Sequence, residues 1–275
     1  RSVADAAVLL TAMAHADPGD AATGGRPHAN PLDYTRHLRA DALQGARIGV
    51  LRKLMGYQPD TDAAMERAIA SLRAAGATVV DADIPTLGQW GKHEYEVLLY
   101  EFKDGLGRYL QGSGAPHASL ADLIAYNTAH AARLMPYFGQ EIFEQAQAKG
   151  PLTEPAYRQA RAQARRLAGT QGIDAALRAQ RLDALVAPTT SPAWPIDLVN
   201  GDHFSGAGYG AAAVAGTPAI SVPMGEVHGL PVGIVFLGAA WSEARLVGLA
   251  HAYEHASKAR RPPRFLPTVT LPGAP

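Results

Sequence analysis

The chain has 275 residues, 47% of them apolar, with 25 Lys+Arg against 25 Asp+Glu and no cysteine. That length allows one large domain or two small ones, and the apolar and charged fractions argue for a sizeable core and against disorder. Zero formal net charge supplies no long-range field to gather phosphates, which argues against nucleic acid, and the lack of cysteine removes disulfides, thiolate metal sites and cysteine nucleophiles.

Arg1-Ser2-Val3-Ala4-Asp5 reads as the start of a helix, with no initiator Met and no signal peptide, so we read it as a cut end. Ser2 is placed to cap this helix, which runs to about Ala16 with Val3, Ala6, Ala7, Leu10 and Met13 on one face. Asp17-Pro18-Gly19-Asp20 and Gly24-Gly25 end it and open a long loop. A strand over Arg47–Leu51, a helix capped by Asp60 or Thr61 and stopped by Gly76, and a strand over Ala77–Ile84 make one βαβ unit, which predicts a parallel sheet. Residues 86–181 then turn helical, with helices expected over Lys92–Leu110, Ser119–Arg133, Tyr137–Lys149 and Glu154–Arg178. This stretch reads as an insertion or cap within a domain that occupies all of 1–275. Short apolar runs bounded by Pro and Gly, Leu182–Pro188, Ala219–Pro223 and Val232–Leu237, read as buried strands. A last helix runs from Ser242, its expected cap, to about Ala259, and the proline-rich tail from Pro262 reads as extended. No apolar run reaches the ~20 residues that span a bilayer, so no membrane partner is expected.

Several motifs test the chain for chemistry. His251-Ala252-Tyr253-Glu254-His255 has the spacing of an inverted zinc-protease helix, but no Asp, Glu or His follows it, and its histidines lie opposite the apolar stripe of Leu246, Ala250 and Tyr253. We expect a solvated face and no metal. Gly206-Ala207-Gly208-Tyr209-Gly210-Ala211 has the letters of a dinucleotide fingerprint, yet a polar loop precedes it where a strand is required, so no cofactor is expected and the small residues read as close packing. Arg158, Arg161 and Arg165, with Arg166 beside them, read as a solvated basic stripe. No G-x-S-x-G elbow, S-x-x-K or glycine-rich serine loop is present, and Ser113 sits in a turn without a partner nearby in sequence. No residue of this chain is therefore assigned a catalytic role.

Arg1 to Leu10, Asp17 to Ala21, Arg47 to Leu51 with the following helix and Ile84-Pro85, and Leu182 to Thr189 occur in the order found in one enzyme family. With Gly216-Thr217-Pro218-Ala219-Ile220-Ser221-Val222-Pro223-Met224-Gly225 and Gly229-Leu230-Pro231-Val232-Gly233-Ile234, they resemble the amidase signature family, which hydrolyses amides with a Ser–cis-Ser–Lys triad. The resemblance covers roughly 1–85 and 180–258 and implies an α/β fold, a mixed and largely parallel sheet covered by helices, present as an incomplete domain. It implies that the triad and the oxyanion donors lie on polypeptide before Arg1, so that this chain is the C-terminal two-thirds of an amidase and is inactive alone. Thr189, Thr190, Trp194, Thr217 and Pro218 are then expected in the wall of the pocket for a small-molecule amide substrate. The missing N-terminal segment, or an oligomer covering the exposed strand edge and core face, is the expected partner, in the cytoplasm. The alternative from a different class is a non-catalytic binding or scaffold module on a decayed amidase fold.

Overall fold

The computed structural model describes residues 1–25 and 33–265, so the loop expected after Gly25 and the tail beyond residue 265 lie largely outside the described residues. The chain divides into two compact units, one of residues 1–87, 168–195 and 203–275, the other of residues 88–167 and 196–202. Residues 168–181, expected in the helical insertion, fall within the first unit.

The first unit is built on five strands, β1 (Arg47–Val50), β2 (Thr78–Asp81), β3 (Ala184–Pro188), β4 (Ala219–Val227) and β5 (Leu230–Leu237), in the order β2-β1-β3-β5-β4. β1 pairs in parallel with both β2 and β3, while β5 runs antiparallel to both β3 and β4. Four strands therefore point one way and only β5 opposes them. The helix α2 (Pro59–Ala74) makes the crossover between β1 and β2 that a parallel pair needs. Its cap is the side chain of Gln58, which accepts from the Thr61 amide, with Pro59 in the first turn. Thr61 is fully buried and does not cap the helix.

β4 and β5 form a hairpin through His228 and Gly229, whose φ values of 51° and 78° give the two left-handed residues that a two-residue turn favours. Pro223 and Pro231 were expected to bound the strands, yet both lie inside the ladder. A bulge between Pro223 and Gly225 absorbs the first. The second sits where β5 has β4 alone beside it, because β3 pairs only with residues 234–237 of β5. A missing N–H costs little at such places.

One sheet face carries Ala184, Val186, Ile234, Phe236 and Val222. It is buried by α2, by α1 (Val3–Met13) and by α10 (Glu243–Ser257), with Met65, Ile69, Leu249 and Tyr253 fully enclosed. Ser2 caps α1 as expected, in a reciprocal box with Asp5. Only Val3 and Ala7 of α1 are buried, and Met13 is 68% exposed. Ser242 is not a side-chain cap for α10, since its hydroxyl donates to the Ala239 carbonyl at 2.7 Å. On the opposite face Gly208 lies against the sheet, where a Cβ would come within 2.5 Å of the Pro188 carbonyl oxygen and 2.6 Å of the Ala187 Cβ. Gly206 and Gly208 of the fingerprint-like segment thus serve close packing of a loop, whereas Gly210 has open space around it.

The second unit holds α3 (Gly91–Ser113), α4 (Leu120–Ala129), α5 (Ala131–Leu134), α6 (Glu141–Gln147) and most of α7 (Pro155–Ala168). Leu99, Leu120 and Ala146 form its small core, joined by two tyrosine–carboxylate bonds of 2.6 Å, Tyr100 to Glu154 and Tyr157 to Glu101. Arg158, Arg161 and Arg165 are exposed along α7, beside the buried stripe of Tyr157, Ala160 and Ala164. The helix expected over Glu154–Arg178 is broken by a π turn at Gly169–Ile173 before α8 (Asp174–Gln180).

Replacing Gly208 by Ala should cost about 1–3 kcal/mol, because the added methyl meets backbone that cannot swing away. The neighbouring Gly210→Ala, with open space around it in the first turn of α9 (Gly210–Ala215), should be neutral or stabilising by up to about 1 kcal/mol. Urea unfolding of both variants checks the contrast.

Candidate functional site

In an open parallel arrangement, a crevice forms where connections from adjacent strands leave in opposite directions, outside their carboxyl ends. Here β1 leads to β2 on one side, while β3 leads across β5 to β4 on the other. The carboxyl ends of β1 and β3 therefore define the candidate site.

The chain leaving β3 is held by its backbone. The Thr189 amide donates to the Gly233 carbonyl at 2.6 Å, and the Gly208 amide donates to the Thr189 carbonyl at 3.1 Å. Thr190 bridges to Ala207, and both the Thr190 hydroxyl and the Ser191 amide donate to the Gly206 carbonyl at 3.2 Å. Three residues further on, the Trp194 ring meets Phe204 edge-on at 6.1 Å. Tyr57, from the connection between β1 and α2, lays its ring against Gly206. Its hydroxyl is sequestered without a partner among the described residues, and burial, then the nearby Asp62 charge, push it up to about 12. Ser191, only 6% exposed, also has a hydroxyl with no partner among those residues. Two buried hydroxyls thus flank Gly206. Water or a polar ligand would satisfy them.

Of the residues expected in a pocket wall, the structure brings Thr189, Thr190 and Trp194 together on this loop. Thr217 and Pro218 are elsewhere. Pro218 accepts from the Gly238 amide just before β4 begins opposite Leu237, at the amino-end level of β3. Thr189 is level with Pro223, five residues further along the strand, a distance of roughly 17 Å. Tyr57 and Ser191 escape a reading of the sequence because no local spacing ties residue 57 to residue 206. Only the parallel pairing of β1 with β3 does that.

The serine hydroxyls make no bond to a lysine among the described residues. Ser71, Ser113, Ser205 and Ser242 donate to nearby carbonyls, Ser2 and Ser119 cap helices, and Ser221 pairs with Thr189. In the H-x-x-E-H segment, the Glu254 carboxylate accepts the Val3 amide at 3.1 and 3.2 Å, which ties α10 to the first turn of α1. The rings of His251 and His255 stack edge-on at 4.4 Å.

A mostly parallel sheet with helices packed on it, and small hydroxyl and aromatic residues on its strand-end loops, defines a protein of the mixed α/β class. The family model described as Amidase matches residues 1–247, and the chain belongs to the amidase family. It is 32% identical to a "Probable amidase" of Arabidopsis thaliana, over 97% of this chain and 49% of that protein. It is 33% identical to a glutamyl-tRNA(Gln) amidotransferase subunit of Aromatoleum aromaticum, over 93% of this chain and 54% of that one. Among solved structures it resembles the peptide amidase PAM in complex with the competitive inhibitor chymostatin (52% identity, TM-score 0.91). It also resembles the native peptide amidase of Stenotrophomonas maltophilia (50% identity, TM-score 0.88). In both cases the match covers 96% of this chain and 54% of the other. The chain thus spans about half the length of the relatives it matches. No helix among the described residues is long and apolar enough to cross a membrane.

Burial, and then the neighbouring His255, hold His251 below its ordinary value of 6.5, with Glu254 acting the other way. The unfolded chain therefore takes up this proton first as the pH falls. Its contribution to stability is whole above 6.5 and is lost as the pH drops through the depressed native value. Urea unfolding across that window should show the decline, and a His251→Gln variant should lose that part of it.

Proposed function

We propose that this chain is the C-terminal portion of an amidase that hydrolyses the C–N bond of a carboxamide, with peptide amides as the substrate class. The likeness to peptide amidases, at 52% identity and a TM-score of 0.91, carries this reading. The crevice loop is rigid, polar at its base and aromatic at its rim, as suits a wall that fixes an amide beside a backbone-like chain.

The chemistry implied by the family resemblance is acyl transfer. A lysine draws a proton through a cis-serine, the activated serine attacks the amide carbonyl, ammonia or an amine leaves, and water releases the acid from the acyl-enzyme. The nucleophile and its base would come from polypeptide that precedes Arg1. Two observations support that part of the reading. Among the described residues no serine hydroxyl bonds a lysine: most are engaged with carbonyls, caps or a threonine, and that of Ser191 has no partner. β4 is also, among the described residues, an edge strand with no neighbour on its outer side, and an unpaired edge invites another strand. This chain's own residues would then bind and orient: Thr190 and Ser191 through the Gly206 loop, and Trp194 and Phe204 as apolar rim.

The 275-residue chain alone should release no ammonia from a peptide amide, while the product of the whole coding region should release it with turnover. Ammonia assays on both check this. Turnover by the 275-residue chain, or a covalent fluorophosphonate adduct on any of its serines, would refute the assignment of the nucleophile to other polypeptide. A full-length product that binds peptide amides without hydrolysing them would instead support a scaffold.

A further inference from the structure

On the sheet face that carries Ala187 and Val235, the outermost column is uncovered: Ala219 and Ser221 of β4 are exposed, and Gly233 of β5 is half-buried. Thr189, just past β3, and Ser221 on β4 lie on either side of β5. Two strands apart means roughly 10 Å between backbones, so two short side chains meet only by leaning over the strand between them. They do meet, with Thr189 Oγ1 and Ser221 Oγ 2.7 Å apart. Gly233 is the reason. A Cβ there would come within 2.8 Å of the Ser221 hydroxyl oxygen, 2.9 Å of that of Thr189 and 3.3 Å of the Val222 carbonyl oxygen. A glycine inside a strand weakens the strand and marks a place where another group must come close.

The donor arithmetic then decides what that group is. Two hydroxyls hold two protons, and one is used between them, whichever way the bond points. One O–H and the outward lone pairs remain, with no further partner for either side chain among the described residues. A carboxamide has the matching set, a carbonyl to accept the free proton and N–H groups to donate to the lone pairs. A carboxylate would offer acceptors alone, and an ammonium donors alone.

We propose that the Thr189–Ser221 pair over Gly233 is a binding site for the carboxamide group of the substrate. The proposal rests on the amidase reading above and deepens it by naming a contact. Ser221 lies in a motif that otherwise reads as strand, and its role comes from the register of β4 on β5, which places it beside the pit above Gly233. Both hydroxyls are accessible to water, so the exchange of water for an amide strands no buried group.

The test is steady-state kinetics, with a peptide amide and the matching peptide methyl ester, on the form of the enzyme that turns over. Ser221→Ala and Thr189→Val should each raise KM for the amide by roughly three- to tenfold, the worth of one hydrogen bond. The rise should be smaller for the ester, which has no N–H to donate. The thermal midpoint of Ser221→Ala should match the wild type, and Thr189→Ser should keep the wild-type KM. Unchanged KM values in both variants overturn the proposal. So does an equal loss for amide and ester, the mark of a merely structural role. A wild-type enzyme that hydrolyses neither compound overturns the amidase reading itself, and this contact with it.

Discussion

β3 is buried along its whole length, and both halves of the sheet are anchored to it. On one side it extends the parallel run of β1 and β2. On the other it pairs with β5, the one strand that runs against the rest. A strand enclosed on both faces and both edges has its polar backbone fully committed to ladders, and its register is therefore strongly specified. The loop that leaves its carboxyl end inherits that rigidity. Its first residue continues the ladder to Gly233, and its next two are clasped by the loop around Gly206.

Close approach is the second constraint, and glycine provides it, at Gly208 and Gly233 among other positions. Gly208 lets a loop rest directly on Ala187 and Val235. Gly233 leaves a pit above β5 into which two hydroxyls lean. One is filled by the chain's own backbone, while the other stays open to solvent. The same device thus serves packing in one place and a polar surface in the other.

The two faces of the sheet differ in how they are closed. α1, α2 and α10 cover one with an apolar layer, and the Glu254 carboxylate fastens the first turn of α1 to the end of α10. The glutamate that gives the H-x-x-E-H segment its look of a metal helix is engaged in that fastening. The other face is open along β4, where the exposed backbone edge and the Ser221 column lie together. The chain spans about half the length of the relatives it matches, and an unpaired edge of this kind is suited to a further strand.

Much of this organisation is legible in the residues themselves. Ser2 and Asp5 mark the start of α1, the run from Arg47 to Asp81 is a βαβ unit by its own periodicity, and the order of the glycine–proline segments carries the family. These are local signals, fixed by side chains within a few turns of each other. What the sequence cannot decide is pairing between distant strands. Pro223 and Pro231 read as strand ends, because the cost of a missing N–H depends on whether a neighbour stands beside it. Thr217 and Pro218 read as companions of Thr189, because nothing local says that β4 begins at the far end of the sheet. Tyr57, Ser191 and Ser221 acquire their neighbours only through the order β2-β1-β3-β5-β4. Burial and hydrogen-bond satisfaction across the whole sheet set that order, and no stretch of chain contains either.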